Sequence, residues 1–326
     1  MRKPQIACAG TSGARCSRGI RVAKSGEGAI RDVGIPKSLQ KEELRMAQDR
    51  IGIIGPGRMG LAMLKHLKKA GFNVTVYDVN EAQLGKAIDA GGIEAGSPRE
   101  VGENSDYIIV GVGFEPEVYD CLTNETGALS GMAAGGAIAV CSTASVGGVQ
   151  DLEQRCREKG ISFLDAPIAR GRWAADEGTL LALVGGTVET VERSRPIFET
   201  FCSDIEHMGA VGHGQVAKMM NNYLLWVNGC ALIEAGRLAG STGIELPKLR
   251  KALMMSSGDS AALRDWDRMT FTWALKDMQM MEKLMDKENQ AFPLASLIKE
   301  LVKDGRNIKA SNPPDWSGEG GIAKRD

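Results

Sequence analysis

The chain has 326 residues, of which 43% are hydrophobic and 25% are charged, and its formal net charge is −1. These values are typical of a globular protein with room for two domains. They argue against nucleic acid or an anionic membrane surface as the main partner, and no apolar run reaches membrane-spanning length. The seven cysteines are scattered and only three histidines occur, which argues against a disulfide framework or a metal site.

The first 48 residues differ in composition from the rest of the chain. Six lysines or arginines and no acidic residue precede Ser25, and the apolar core of a secretory signal is missing. This composition favours a disordered extension over residues 1–48. We therefore expect a cytoplasmic protein. The alternative is a mitochondrial protein whose basic extension is a transit peptide.

Strand and helix patterns alternate between residues 49 and 211. Short β-branched or apolar runs predict strands at 50–55, 72–78, 106–112, 136–143, 161–168, 179–186 and 204–209. Helical patterns lie between them, including one that starts at the cap Ser97 with Pro98 and one from about Val188 to Cys202. Such alternation predicts an α/β Rossmann-type, doubly wound parallel sheet, the expected NAD(P)-binding domain.

Residues 212–326 read as helices throughout. The stretch 214–240 is one long helical pattern with almost no polar break. A helix that is apolar nearly all round is buried, either inside an all-helical domain or in a subunit interface. The sequence therefore predicts an all-α C-terminal domain for substrate binding and oligomerisation, in a homodimer or a homotetramer.

Three glycines carry a dinucleotide-binding pattern. Gly55, Gly57 and Gly60 have the GxGxxG spacing between a predicted strand and a predicted helix. Glycines there permit a tight turn, close approach of a pyrophosphate and close helix packing, and the helix N-terminus supplies free N–H groups. Asp78 ends the second strand 18 residues after Gly60 and suits the adenosine ribose hydroxyls, while the neutral Asn80 offers nothing to a 2′-phosphate. NAD is predicted as cofactor, and NADP is less favoured.

Lys218 stands inside an apolar helical pattern, with Asn222 one turn later on the same face. A lysine in a dry cleft has a lowered pKa and exchanges a proton near neutral pH. Alternatively, Lys218 is a lysine whose amine reaches the surface, and spacing alone favours that interpretation.

Five motifs in order resemble those of one family, the β-hydroxyacid dehydrogenases, which include 3-hydroxyisobutyrate dehydrogenases and tartronate semialdehyde reductases. They are Gly55-Pro56-Gly57-Arg58-Met59-Gly60, Ser142-Thr143, Asp165-Ala166-Pro167 with Gly178-Thr179-Leu180, Gly214-Gln215-Val216-Ala217-Lys218 with Asn221-Asn222, and Lys276-Asp277.

The resemblance covers the chain from about Arg50 onwards and implies roles for individual residues. The cofactor would be bound by the first motif together with Asp78, Thr143 and Lys276, with Thr143 on the nicotinamide side of the cofactor. Lys218 would be the acid/base, and Asn222 and Lys276 would contact the substrate. The implied reaction is the NAD(P)-dependent interconversion of a small β-hydroxyacid and its semialdehyde.

The loop after Asp165-Ala166-Pro167 departs from the family pattern. Relatives usually have Ser-Gly-Gly where this chain has Ala169-Arg170-Gly171. Because a guanidinium suits carboxylate, sulfonate or phosphate groups, we expect Arg170 and Gly171 to bind an acidic substrate. The alternatives are an Arg170 in solvent or paired with Asp176 or Glu177, and we expect Arg172 at the surface.

Other activities remain open at this point. Another anionic aldehyde, such as sulfolactaldehyde or succinic semialdehyde, is the first alternative substrate. Imine reductases of the same fold usually lack the lysine, so Lys218 argues against that activity. A dinucleotide-binding scaffold without turnover is a further alternative. The segment between Lys218 and Lys276 is shorter than in relatives, and Trp266 and Trp273 either fill the space or belong to the core.

Overall fold

The computed structural model of the protein describes residues 50–318. The predicted N-terminal extension, residues 1–48, and its proposed targeting role lie outside this range. Nine strands of the described range form one sheet: β1 (Arg50–Ile54), β2 (Asn73–Tyr77), β3 (Ile93–Glu94), β4 (Tyr107–Val110), β5 (Ala137–Val140), β6 (Ser162–Asp165), β7 (Ile168–Ala169), β8 (Leu180–Gly185) and β9 (Cys202–Gly209).

Helices connect these strands and make up the C-terminal part. Those between strands are α1 (Arg58–Lys69), α2 (Glu81–Asp89), α3 (Pro98–Glu103), α4 (Glu115–Thr123), α5 (Ala128–Gly131), α6 (Val146–Glu158), α7 (Gly171–Glu177) and α8 (Val188–Phe198). After the last strand come α9 (His213–Ser241), α10 (Leu246–Leu253), α11 (Ala261–Arg264), α12 (Ala274–Glu288) and α13 (Pro293–Ser311).

The sheet is mostly parallel. Its order is β3-β2-β1-β4-β5-β6-β8-β7, and β9 also pairs with β8. The strands from β1 to β6 pair in parallel, whereas β8 runs antiparallel to β6 and β7. The Rossmann-type fold followed by a helical region, predicted from the alternating pattern, is confirmed.

Apolar residues cover both faces of the sheet because helices pack on both. Ile51 and Ile53 of β1 belong to the cluster on one face, and Ile54 belongs to the cluster on the other. This explains why the strands are short continuous apolar runs rather than alternating ones. A third cluster fills the helical part around the buried Trp226 and Trp266.

One predicted boundary is wrong. The helix expected to run from Val188 to Cys202 ends at Phe198, and Cys202 already begins β9. The last turn tightens where the Thr200 N–H donates to the Ile197 carbonyl, and Cys202 pairs with Leu180 of β8. No glycine or proline separates the helix from the strand, so the local pattern contained no stop signal.

The long helical pattern at residues 214–240 is helix α9. It spans 29 residues, and within residues 50–318 no helix is long and apolar enough to cross a membrane. Ser97 caps α3 as predicted, since its hydroxyl accepts a hydrogen bond from the Glu100 N–H at 3.2 Å.

Candidate active site

The turn between β1 and α1 has the shape that a pyrophosphate requires. Gly55 has a φ of +83°, and a Cβ on Gly60 would lie 2.5 Å from the Gly55 carbonyl oxygen. By contrast, apart from its chain neighbours, Gly57 has no residue within 4 Å of the place that a Cβ would take. The first turn of α1 has no side-chain cap and no acidic residue. Its free N–H groups therefore fit an anionic group beside Gly57.

The neighbouring residues of this turn have different surroundings. Pro56 is buried and Met59 packs against the core. Arg58 turns to α7, where its guanidinium forms two hydrogen bonds with the Asp176 carboxylate, at 3.0 and 2.5 Å. Arg58 thus contributes its backbone to the turn, while its side chain fastens α7 to α1.

Asp78 follows β2 at the same edge of the sheet. It is half-buried, and one carboxylate oxygen accepts a hydrogen bond from the Asn80 N–H at 2.8 Å. Burial raises the pKa of the Asp78 carboxyl, and that hydrogen bond opposes the rise. The Asn80 side chain is occupied as the cap of α2. The second oxygen of Asp78 is thus available for ribose hydroxyls, with no cation in this loop for a 2′-phosphate.

Asp165 joins the end of β6 to the start of α9. The carboxylate is fully buried and accepts hydrogen bonds from the Gly212 and Gln215 N–H groups, each at 2.7 Å. Burial raises its pKa to about 6, and the two N–H donors oppose that rise. A carboxylate at this helix N-terminus satisfies donors that would otherwise be unpaired. It fixes the position of α9, and hence of Lys218, against the sheet.

Gln215 holds the loop that carries Thr143. Its amide accepts a hydrogen bond from the Ala144 N–H at 3.1 Å and donates one to the Ser142 carbonyl at 2.9 Å. The side chain is fully buried. Thr143, partly buried, is therefore fixed from both sides by a residue of α9's first turn, three positions before Lys218.

Lys218 lies in the second turn of α9 and is partly buried. Burial lowers the pKa of its amine, Asp277 raises it, and Lys276 lowers it further. Within residues 50–318 the amine has neither a hydrogen-bond partner nor an ion pair at 4.0 Å or less. It is therefore free to bind a ligand oxygen, and its lowered pKa suits proton exchange.

Asp277, at the start of α12, faces this lysine. It is buried and accepts a hydrogen bond from the Trp226 indole N–H at 2.9 Å. Burial raises the pKa of its carboxyl, while Lys218, Trp226, Lys276 and Asn222 each oppose that rise. Asn222 is itself buried, one turn after Lys218. Lys218, Asn222 and Asp277 thus form one cluster.

Lys276 reaches across from α12 to the sheet. Its amine donates a hydrogen bond to the Gly113 carbonyl at 2.5 Å and lies 5.3 Å from the Phe114 ring centre. It is also 5.6 Å from the Trp273 ring centre. The Gly113 loop follows β4, beside the nucleotide turn, so Lys276 links the helical part to the cofactor side of the cleft.

The Arg170 guanidinium binds groups at the start of β8 and on β9 and forms no hydrogen bond with Lys218, Asn222 or Asp277. One nitrogen of its guanidinium donates to the Thr179 carbonyl at 3.2 Å, the Ser203 hydroxyl at 2.8 Å and the Asp204 carboxylate at 2.5 Å. The expected alternative partners, Asp176 and Glu177, are wrong, because Arg170 turns to β9 instead. Its role in substrate binding stays a prediction. Gly171 is exposed with a φ of +75°, and Arg172 is exposed.

The sequence alone assigned no role to three residues of the site: Asp165, Gln215 and Asp277. Each stands in a motif, but its partners lie 47 or more residues away, so no local spacing reveals them. Among residues 50–318, no group of three or more His, Cys, Asp or Glu could hold a metal ion.

Two family models match this chain. A family model described as the NAD binding domain of 6-phosphogluconate dehydrogenase matches residues 50–209. A second, described as NAD-binding of NADP-dependent 3-hydroxyisobutyrate dehydrogenase, matches residues 212–313.

Several relatives are similar over most of their length. The NAD-dependent L-serine dehydrogenase of Pseudomonas aeruginosa is 35% identical over 66% of this chain and 72% of its own. The mitochondrial 3-hydroxyisobutyrate dehydrogenase of Mus musculus is 32% identical over 74% and 73%, respectively. The solved Mycobacterium tuberculosis 3-hydroxyisobutyrate dehydrogenase with L-serine has a TM-score of 0.73 at 24% identity, covering 82% of this chain and 96% of that one.

Proposed function

Because the chain belongs to the β-hydroxyacid dehydrogenase family and is an NAD(P)-dependent hydroxyacid dehydrogenase, we propose that Lys218 exchanges the proton of the reaction. The observation that carries this proposal is the state of its amine. It is partly buried, its pKa is lowered by burial, and it has no hydrogen-bond partner among residues 50–318. A structural lysine would be paired or would reach solvent.

The chemistry is divided between the cofactor and the protein. The cofactor, when its pyrophosphate is bound at the Gly55–Gly60 turn, would accept or supply the hydride through its nicotinamide. In hydroxyacid oxidation, the neutral Lys218 amine takes the proton of the substrate hydroxyl as the carbon–oxygen double bond forms. In the reverse direction, the Lys218 ammonium stabilises the developing alkoxide and protonates it.

The neighbours of Lys218 have supporting roles. Asn222 stands one turn along the same helix face, where its amide suits a substrate oxygen. Asp277 is close enough to raise the lysine pKa, yet forms no ion pair of 4.0 Å or less with it. The carboxylate thus adjusts the proton affinity of Lys218 without occupying its N–H donors. Lys276 holds the Gly113 loop.

The substrate proposal comes from the names of the relatives. One relative is an L-serine dehydrogenase, others are 3-hydroxyisobutyrate dehydrogenases, and another is a 2-(hydroxymethyl)glutarate dehydrogenase. The three named compounds share a primary alcohol on the carbon next to the one that bears the carboxylate. They differ only in the substituent at that middle carbon. We propose a 2-substituted 3-hydroxypropanoate as the substrate, with the corresponding semialdehyde as the product.

NAD is the cofactor that the site favours. Asp78 has one oxygen free for the adenosine ribose, and the loop from Asp78 to Asn80 contains no basic residue. A 2′-phosphate would meet a carboxylate without a compensating cation.

The experiment measures kcat/KM of the purified protein for L-serine, 3-hydroxyisobutyrate and 2-(hydroxymethyl)glutarate, each with NAD⁺ and with NADP⁺. We expect turnover of at least one acid and a kcat/KM at least tenfold higher with NAD⁺. 1-Propanol, which lacks the carboxylate, serves as the control and should react poorly. No turnover with any of the acids would contradict the substrate proposal, and a preference for NADP⁺ would contradict the role of Asp78.

A further inference from the structure

The segment between α11 and α12, residues 265–273, crosses the molecule as a fixed strap. Trp266 is fully buried, its indole N–H donates to the Pro314 carbonyl at 3.2 Å, and its own carbonyl accepts from the Lys309 amine at 2.5 Å. The Arg250 guanidinium binds the Asp267 carboxylate at 2.7 Å. This strap occupies part of the region that the sequence predicts to be shorter than in relatives.

The middle of the strap lies against α9. The side chains of Met269 and Phe271 are 3.2 and 3.0 Å from the place a Cβ on Gly229 would take. Phe271 also contacts Trp226, with 5.4 Å between their ring centres. Trp226 stands one turn after Asn222, so the strap passes close to the helix face that carries Lys218 and Asn222.

Two further side chains of the strap contact the α/β part of the chain. The Arg268 guanidinium carbon lies 4.6 Å from the Trp173 ring centre, in the helix that begins directly after the predicted substrate loop. At the other end, Trp273 is 6.0 Å from Phe114 in the loop after β4. The strap therefore contacts both the helix that begins at Gly171 of the predicted substrate loop and the loop after β4 that Lys276 binds.

Arg268 has donors available for an anion. Its guanidinium is exposed and, in the chain from residue 50 to 318, forms no ion pair. The contact through the Trp173 ring face fixes the side chain but leaves N–H groups for other acceptors. Trp173 itself is held in place, because His66 and Arg58 of α1 bind the last turn of α7.

The other two arginines of this region are less suited. Arg170 is engaged by Asp204, Ser203 and the Thr179 carbonyl on β8 and β9. Arg172 is exposed, and the described residues show no contact that holds its guanidinium in one orientation. Ala169 offers no hydroxyl in place of the usual serine.

We propose that Arg268 binds the substrate carboxylate and determines the preference for anionic substrates. This inference rests on the proposed function, since it assigns the binding partner of the acid group in that reaction. A hydrogen bond between ionised groups is stronger than a neutral one, and its loss weakens binding about tenfold to a hundredfold.

The first test compares Arg268→Gln, Arg170→Gln and Arg172→Gln with the wild type. Steady-state rates with NAD⁺ are measured for L-serine, 3-hydroxyisobutyrate and 1-propanol. We expect Arg268→Gln to raise KM for the two acids at least tenfold, with kcat within threefold and 1-propanol unaffected. Arg172→Gln should change each KM less than threefold, whereas a larger rise of KM in Arg170→Gln than in Arg268→Gln would assign the carboxylate to Arg170 and overturn the proposal. Arg264→Gln, an exposed arginine of α11 paired with Asp259, is the matched control for folding and surface charge.

The second test separates this inference from the proposed function. In a Lys218→Ala background, calorimetric titration of the NAD⁺-loaded protein with 3-hydroxyisobutyrate measures binding without requiring turnover. Arg268→Gln should weaken that binding at least tenfold. Equal binding with and without the substitution, or a loss caused by Arg170→Gln or Arg172→Gln instead, overturns the assignment to Arg268. Absence of turnover in the wild type and in every protein of the first test, all of which keep Lys218, with binding still dependent on Arg268, would contradict only the proposed reaction.

Discussion

At the scale of single residues, the site is an arrangement of charges around one amine. Lys218 is desolvated, Asp277 raises its pKa and Lys276 lowers it. The two neighbours therefore adjust the pH at which Lys218 changes from acid to base. Neither side chain takes the position of the substrate oxygen at Lys218, because neither forms a hydrogen bond with the Lys218 amine.

Substitution of Asp277 by Asn should shift the pH profile of hydroxyacid oxidation to lower pH. Oxidation requires the neutral amine, so its rate rises with pH through the pKa of Lys218. Removing the Asp277 charge removes the effect that raises this pKa, and the rise should begin at lower pH. The asparagine oxygen still accepts the Trp226 hydrogen bond. Asp286→Asn, at an exposed position of the same helix, is the control, and identical profiles for all three proteins would exclude this coupling.

At the scale of elements, helix α9 is the part that brings the site together. Asp165 binds its first N–H groups, Gln215 holds the Thr143 loop, and Lys218 and Asn222 follow one and two turns later. Both bonds of Asp165 connect α9 to the end of β6. The buried carboxylate thus couples the stability of this junction to the position of the lysine.

Asp165→Asn should lower the free energy of unfolding by about 1–3 kcal/mol, because an amide accepts through only one oxygen and leaves one N–H unpaired. Chemical denaturation measures this change. Asp106→Asn, which affects an exposed pair with Arg50, should cost less than about 1 kcal/mol. An equal loss of unfolding free energy in the two variants would mean that the buried hydrogen bonds of Asp165 add nothing to the stability of the fold.

Asp165 also makes a pH-dependent contribution. Its pKa is raised to about 6 in the folded protein, so the folded state binds its proton more tightly than the unfolded state. The stability from this group is therefore present at pH below about 4 and is lost as the pH rises through about 6. In Asp165→Asn, this part of the pH dependence should disappear.

The sequence predicted those parts of the site that depend on local spacing. Strand and helix geometry alone gives the places of the turn glycines and Asp78, and it puts Asn222 one turn after Lys218. The contact of Lys276 with Gly113 joins residues 163 positions apart, and no pattern indicates it. The alternative partners expected for Arg170, Asp176 and Glu177, are wrong for the same reason, since its partner Asp204 lies 34 residues away on β9. Contacts between distant segments depend on how the elements pack, which periodicity does not determine.

At the scale of the whole molecule, the described chain leaves apolar residues of α9 in solvent. Leu224 is 57% exposed and Leu238 is 71% exposed. The two leucines are 14 residues apart, which is about four helical turns, so they lie on the same face of α9. The sequence predicted that a helix apolar nearly all round is buried in the domain or in an interface. Within residues 50–318 this face is not buried, which supports the proposal of an oligomer.

Light scattering should therefore give a mass of two or four chains of 34.8 kDa. The double substitution of Leu224 and Leu238 by Glu should reduce that mass, because two charges would be buried in an apolar contact. Double substitution of the exposed Lys248 and Lys251 of α10 by Glu is the control. A wild-type mass of one chain would contradict the expected association.

The central claim is that Lys218 exchanges the proton, and Lys218→Ala tests it most directly. The measurement combines NADH binding, followed by fluorescence titration, with kcat for 3-hydroxyisobutyrate oxidation in the same preparation. We predict an NADH affinity within about threefold of the wild type, and a loss of kcat of about 10²-fold or more, the usual range for general acid–base catalysis. An unchanged kcat would contradict the account, because the proton would then have to be taken by another group.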